Sequence, residues 1–146
     1  MRNQSGFTLL ELLLSVAIIG VLAGISMPLY MTFNQRNALN SSAEDVVAAL
    51  RRAQTYARGV EEDSQWGVKI ASGTATLFKG SSYASREISF DEPINIPANI
   101  TVSGALTEVI FSKLVGAPAT TGSVTLTSNT NETRTVTLNA KGMVSY

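Results

Sequence analysis

Apolar residues fill the first quarter of the chain as one block and recur periodically after it. Residues 12–35, LLLSVAIIGVLAGISMPLYMTFNQ, run for twenty-four positions without a charge. A helix of that length, at about 1.5 Å rise per residue, is long enough to cross a hydrocarbon layer of about 30 Å. The pattern then changes without a break. Leu39, Ala43, Val46, Leu50, Ala53 and Ala57 recur at alternating spacings of four and three, while Ser41, Glu44, Asp45, Arg51, Arg52, Thr55 and Arg58 take the other faces. Such a pattern predicts one helix, apolar all round at first and amphipathic afterwards, with Gly59 as its stop.

Past Gly59, short alternating runs rich in Val, Ile, Thr and Phe are separated by Gly, Ser and Asn. They predict strands over 65–71, 74–79, 87–91, 99–102, 108–112, 123–127, 134–138 and 143–146. Ala71-Ser72-Gly73 and Asn129-Thr130-Asn131 read as tight connections, and Pro93 and Pro97 make the middle of the region irregular or sheet-edge. Trp66, Val68, Ile70, Leu77, Ile88, Phe90, Phe111, Val124, Leu126, Val136 and Leu138 are the expected inward-facing set. The fold class expected is α+β, one long N-terminal helix packed on an antiparallel β-sheet domain.

Composition narrows the function. Eleven Lys+Arg balance eleven Asp+Glu, and without a basic excess there is no reason to expect a nucleic-acid partner. The absence of His and Cys excludes imidazole bases, thiol nucleophiles, Cys/His zinc sites and disulfides within these residues. No Ser and Lys spacing suggests a nucleophile–base pair. The Glu61-Glu62-Asp63 cluster lacks the Asp/Asn alternation and closing Glu of a calcium loop and reads as a solvated turn. Arg51, Arg52 and Arg58, countered by those same acids, read as a solvated helix face. No enzymatic activity, metal or cofactor is expected.

The N-terminal segment is the informative one. Residues 1–6 carry Arg2 and the initiator amine, and the first acid is Glu11. Positive charge there favours a cytoplasmic N-terminus and export of the chain beyond the apolar run. That run is too long for a secretory signal, and no Ala-x-Ala pattern ends it. An ionised carboxylate at the start of an apolar span needs either a route to the headgroups or a specific cation. Gly20 and Gly24, four apart, allow close backbone approach. Pro28 removes an amide donor and bends a helix, so 20–28 is the stretch expected to deform.

The run Gly6-Phe7-Thr8-Leu9-Leu10-Glu11 resembles the processing site of type IV pilins and type II secretion pseudopilins. That resemblance implies a leader over 1–6 and cleavage by a prepilin peptidase between Gly6 and Phe7. It also implies N-methylation of Phe7, and pairing of Glu11 with the Phe7 ammonium of a neighbouring subunit. Residues 42–58 with Trp66-Gly67-Val68-Lys69-Ile70, and later Val109-Ile110-Phe111-Ser112, Gly122-Ser123-Val124-Thr125-Leu126, Arg134-Thr135-Val136-Thr137-Leu138 and Lys141-Gly142-Met143-Val144, are similar to the H-type pseudopilin and fimbrial T-like group. The implied organisation is a leader over 1–6, a transmembrane and assembly helix over 7–33, and a periplasmic or extracellular pilin-like domain over 34–146.

The implied role is a minor pseudopilin or minor pilin, held in the bacterial inner membrane and assembled into a type II secretion pseudopilus or a type IV pilus. Its partners would be other pilin or pseudopilin subunits, the prepilin peptidase and the assembly platform of that machine. Two other roles use the same N-terminus: a major pilin forming the fibre, and a tip subunit binding DNA or another ligand. Against DNA binding, the tail Lys141-Gly142-Met143-Val144-Ser145-Tyr146 lacks the Gly-Arg-x-Arg arginines of DNA-uptake members, and a single Lys is a poor phosphate clamp.

Overall fold

The computed structural model describes residues 6–146; the side chains of residues 25–29, Pro28 among them, lie outside the described residues. The chain divides into two units, Met1–Asn34 and Gln35–Tyr146. One helix, α1 (Leu9–Arg58), carries both the apolar block and the amphipathic stripe, and it ends just before Gly59. In the first unit the helix leaves its large apolar side chains exposed, among those described. Among the described residues, which leave out the side chains of 25–29 in the middle of the apolar run, no helix is long and apolar enough to cross a membrane.

The second unit follows α1 with a 3-10 turn (Glu61–Asp63) and eight strands: β1 (Trp66–Ala71), β2 (Thr74–Lys79), β3 (Glu87–Asn95), β4 (Ile100–Gly104), β5 (Glu108–Phe111), β6 (Gly122–Ser128), β7 (Thr133–Leu138) and β8 (Val144–Ser145). They form two antiparallel four-stranded sheets, in the orders β3-β2-β1-β5 and β4-β6-β7-β8. The fold is the expected α+β arrangement, divided over two sheets rather than one. Leu39, Ala43, Val46, Leu50, Ala53 and Ala57 are all fully buried. Val47, Ala49 and Ser42 are buried beside them. The buried face is therefore wider than the narrow stripe, because α1 is tied to both sheets: Arg52 pairs with Glu92 on β3, and Arg134 on β7 donates to Asn40 Oδ1 at 2.9 Å.

Most of the expected inward set lies in this single core, including Trp66, Val68, Ile70, Leu77, Phe111, Val124, Leu126, Val136 and Leu138, with Phe90 packed against it. Ile88 is a correction. It is 72% exposed, because the β2–β3 register shifts between Leu77 and Lys79 and the irregularity turns Ile88 away from the face that Phe90 uses. Strand β3 also runs through Pro93, which sits opposite Thr76 on an edge strand; there its missing amide proton breaks no ladder bond.

Candidate functional site

The N-terminal end of α1 is organised by Thr8. Its carbonyl accepts the Leu12 amide at 3.1 Å, and its hydroxyl accepts the Glu11 amide at 3.3 Å. Thr8 is thus the N-cap and Glu11 the third helical residue, in a Thr-x-x-Glu spacing that is the sequence mark of a capping box. The cap satisfies one of the orphan amides of the first turn. A carboxylate in that turn also meets the positive end of the helix dipole, a gain of about 0.3–1 kcal/mol at an exposed site. Sequence reasoning centred on Glu11 passes over Thr8, although the three-residue spacing is there to be read.

Gly6 and Phe7 precede the helix and are exposed. Gly20 and Gly24 lie on α1 with no atom within 4 Å of where a Cβ would stand. No neighbour inside this chain requires glycine there, so the bare backbone is open to an approach from outside it. Around them Leu12, Leu13, Val16, Ile19 and Val21 are exposed. Glu11 carries the single charge of residues 7–35, and exposed apolar surface of this extent marks contact with lipid or another protein. Pro28 belongs to α1, and its side chain lies outside the described residues.

The charged clusters of the second unit are locally compensated. Lys113 Nζ donates to Asp63 Oδ1 at 2.5 Å and to the Asp63 carbonyl at 3.0 Å; this hydrogen bond, with the attraction of the opposite charge, holds the Asp63 carboxyl below its ordinary range. Lys79 contacts Glu87 at 2.7 Å and Glu62 at 3.7 Å, and Arg86 grips Asp91 at 2.8 Å. Asp63, Lys79, Arg86, Glu87 and Lys113 border an open cavity of about 530 Å³, each cation already holding a carboxylate. Arg51, Arg52 and Arg58 of α1 do not act together. Arg51 donates to the Val144 carbonyl at 3.4 Å, Arg52 pairs with Glu92, and Arg58 donates to the Val115 carbonyl at 3.1 Å. In the tail, Gly142 takes a left-handed conformation with φ 77° and lies against the Gln54 amide.

Comparison with known proteins points to the same segment. Residues 1–27 match the family model described as the prokaryotic N-terminal methylation motif. A fimbrial protein of Pseudomonas aeruginosa is 29% identical over 96 residues, covering 60% of this chain and 61% of its own. Fimbrial protein Q of Moraxella bovis is 30% identical over 125 residues, covering 73% of this chain and 78% of its own. Fimbrial protein EcpB of Eikenella corrodens is 48% identical over 40 residues, covering 27% and 25% respectively. The chain thus spans about three-fifths of the length of the Pseudomonas relatives. No solved structure matches it significantly.

Proposed function

The chain belongs to the type IV pilin-like family of fimbrial proteins, structural subunits rather than enzymes, and from that premise we propose that it is a processed, membrane-held minor subunit of a type IV pilus. The observation that carries the proposal is the motif-bearing start of α1, apolar on every exposed face and interrupted by Glu11 alone. Helix surface of that kind has two favourable environments, lipid and other helices of its own sort. Transfer from the first to the second is an assembly step. The inner membrane stores the subunit with its N-terminus cytoplasmic and the unit from residue 35 onward exported. The prepilin peptidase cuts between Gly6 and Phe7, Phe7 is N-methylated, and the assembly platform extracts the helix into a filament of pilin subunits.

In that filament Glu11 meets the charged Phe7 amine of a neighbour. Opposite charges in a poorly solvated surround select one register, while desolvation offsets part of the gain. Gly20, Gly24 and Pro28 supply the close approach and local bending that helix packing needs. The fimbrial relatives support a pilus over a secretion pseudopilus. The likeness of residues 42–58, 66–70 and the closing strands to the H-type and fimbrial T-like group supports a minor subunit over the bulk fibre.

Intact-mass measurement on protein extracted from its native membrane tests the reading. The expected mass is that of residues 7–146 plus one methyl group. Recovery of the unprocessed chain alone, in cells with an active prepilin peptidase, would overturn it.

A further inference from the structure

The second-unit part of α1 carries, on the side away from the core, a pattern that burial does not explain. Ser41, Ala48 and Thr55 recur every seven residues and are exposed. Three and four residues after Ser41 come Glu44 and Asp45, and three and four after Ala48 come Arg51 and Arg52, all exposed as well. Positions seven apart lie almost on the same side of a helix. The outer face is thus a row of small side chains flanked by an acidic pair and, one heptad later, by a basic pair.

These charges are incompletely used inside the chain. Among the described residues Asp45 has no ion-pair or hydrogen-bond partner. Glu44 accepts the Tyr146 hydroxyl on Oε1 at 2.9 Å, and Arg51 donates one N–H to the Val144 carbonyl at 3.4 Å. Arg52 holds Glu92 through Nη2. A carboxylate has a second oxygen and a guanidinium has five N–H donors, so each of these groups keeps capacity for another partner. Arg58, a further heptad along from Arg51, is folded onto the Val115 carbonyl and across Gly116, which takes it out of the pattern.

We propose that this face binds the same face of a second copy of this chain, parallel to the first and displaced by one heptad. Two parallel copies in register would set Glu44 against Glu44 and Arg51 against Arg51, like charges throughout. A displacement of seven residues, about 10.5 Å along the helix, sets the acidic pair of one copy against the basic pair of the other and brings Ala48 beside Ser41. Small side chains along that seam let the helices approach closely. An antiparallel pair centred on Ala48 would match the charges equally well, but two chains anchored in one membrane run parallel, an orientation that rests on the membrane-held role proposed above. Exposed ion pairs are individually weak, so the charges select the step while the apolar surface of the first unit supplies affinity. A displaced contact leaves the far end of each face free for the next copy, the heterologous geometry of filaments. Two consecutive copies suffice, so a subunit that is minor in the whole filament can use it.

The chain has no cysteine, so introduced thiols report contacts without background. The test places them in the full chain, recovers it from its native membrane and from sheared filaments, and oxidises it mildly. A disulfide needs Cα atoms about 4.4–6.8 Å apart. Ser41→Cys together with Ala48→Cys should give a ladder of linked dimers and higher multimers, while either substitution alone should leave the chain monomeric. Adding Glu44→Arg should cut the linked fraction about fivefold or more. Adding Arg51→Glu to that chain restores opposite charges at the same displacement and should return the ladder. Linking through Ala48→Cys alone would reveal an in-register or antiparallel pair and overturn the proposal. So would a double-cysteine chain that stays monomeric, or a linked fraction indifferent to Glu44→Arg. Intact mass of the same samples separates this contact from the underlying role: an unprocessed chain found in no filament removes both, whereas a processed and assembled chain without the ladder removes only the displaced contact.

Discussion

Gly67 lies opposite Phe78 in the β1–β2 ladder, and the Phe78 ring occupies the place where a side chain on Gly67 would stand. A Cβ there would come to 2.6 Å from Phe78 Cζ and 2.6 Å from the Val109 carbonyl oxygen. The ring is fully buried, with Tyr83 edge-on at 5.5 Å, so it has little room to yield, and the Val109 oxygen is backbone. Gly67→Ala is therefore expected to destabilise the second unit by about 1–3 kcal/mol, the usual range for overpacking. Urea unfolding monitored by Trp66 fluorescence checks it, and an unchanged midpoint would show that the ring moves aside.

Leu50 tests the opposite failure. It is fully buried on α1 within the core that both sheets contribute to. Leu50→Ala removes packing that its neighbours are held too firmly by two sheets to replace, at a cost of about 2–5 kcal/mol. That is a large share of the stability of a domain without disulfides. Thermal unfolding should show a clear fall in midpoint, whereas Ile88→Ala, on an exposed side chain, should leave it nearly unchanged.

Legibility in the sequence depends on whether the deciding interaction is local. The helix stripe and most strand faces follow from periodicity, and their buried positions can be read residue by residue. Ile88 cannot, because period-two alternation assumes an unbroken ladder, and the register shift beside Phe78 is fixed by the strand across from it. Phe78 itself is missed since alternation gives the core face of β2 to Leu77; the second burial, under Tyr83, comes from a loop. The division into two sheets depends on β5 joining β1 and β4 joining β6, pairings between residues far apart in sequence. At the candidate site Gly6, Phe7 and Glu11 stand out as a motif, while Thr8 is easily overlooked beside them.

Asp63 and Lys113 give a pH prediction with a definite sign. Hydrogen bonding from Lys113, reinforced by its charge, lowers the Asp63 carboxyl below its ordinary value of 3.8. A carboxylate whose folded-state value is depressed stabilises the folded form above its unfolded value and loses that contribution as the pH falls through the folded one. A carboxyl-detected NMR titration should place the Asp63 midpoint below 3.8. Lys113→Met should bring it back to the ordinary value. A midpoint indifferent to the substitution would show that solvent screens this exposed pair completely.

Glu11 has two physical roles that ordinary alanine substitution confounds. As the third residue of a helix capped by Thr8 it supports the first turn, a capping-box role that glutamine also fills apart from the small dipole gain of about 0.3–1 kcal/mol. As the proposed partner of a neighbour's Phe7 amine it needs its charge, which glutamine lacks. Thr8→Ala removes the cap and keeps the charge, and should fray the start of α1 at a cost of about 0.5–2 kcal/mol. Glu11→Gln keeps the spacing of the capping box and removes the charge. If pairing governs assembly, Glu11→Gln subunits should insert in the membrane normally, since the span becomes more apolar, yet enter filaments poorly, while Thr8→Ala subunits assemble close to the parent level. If capping governs, the order reverses. Quantifying each variant in sheared filaments against its membrane pool separates the two, and Glu11→Gln assembling as well as the parent would remove the charge pair from the account of how this subunit finds its register.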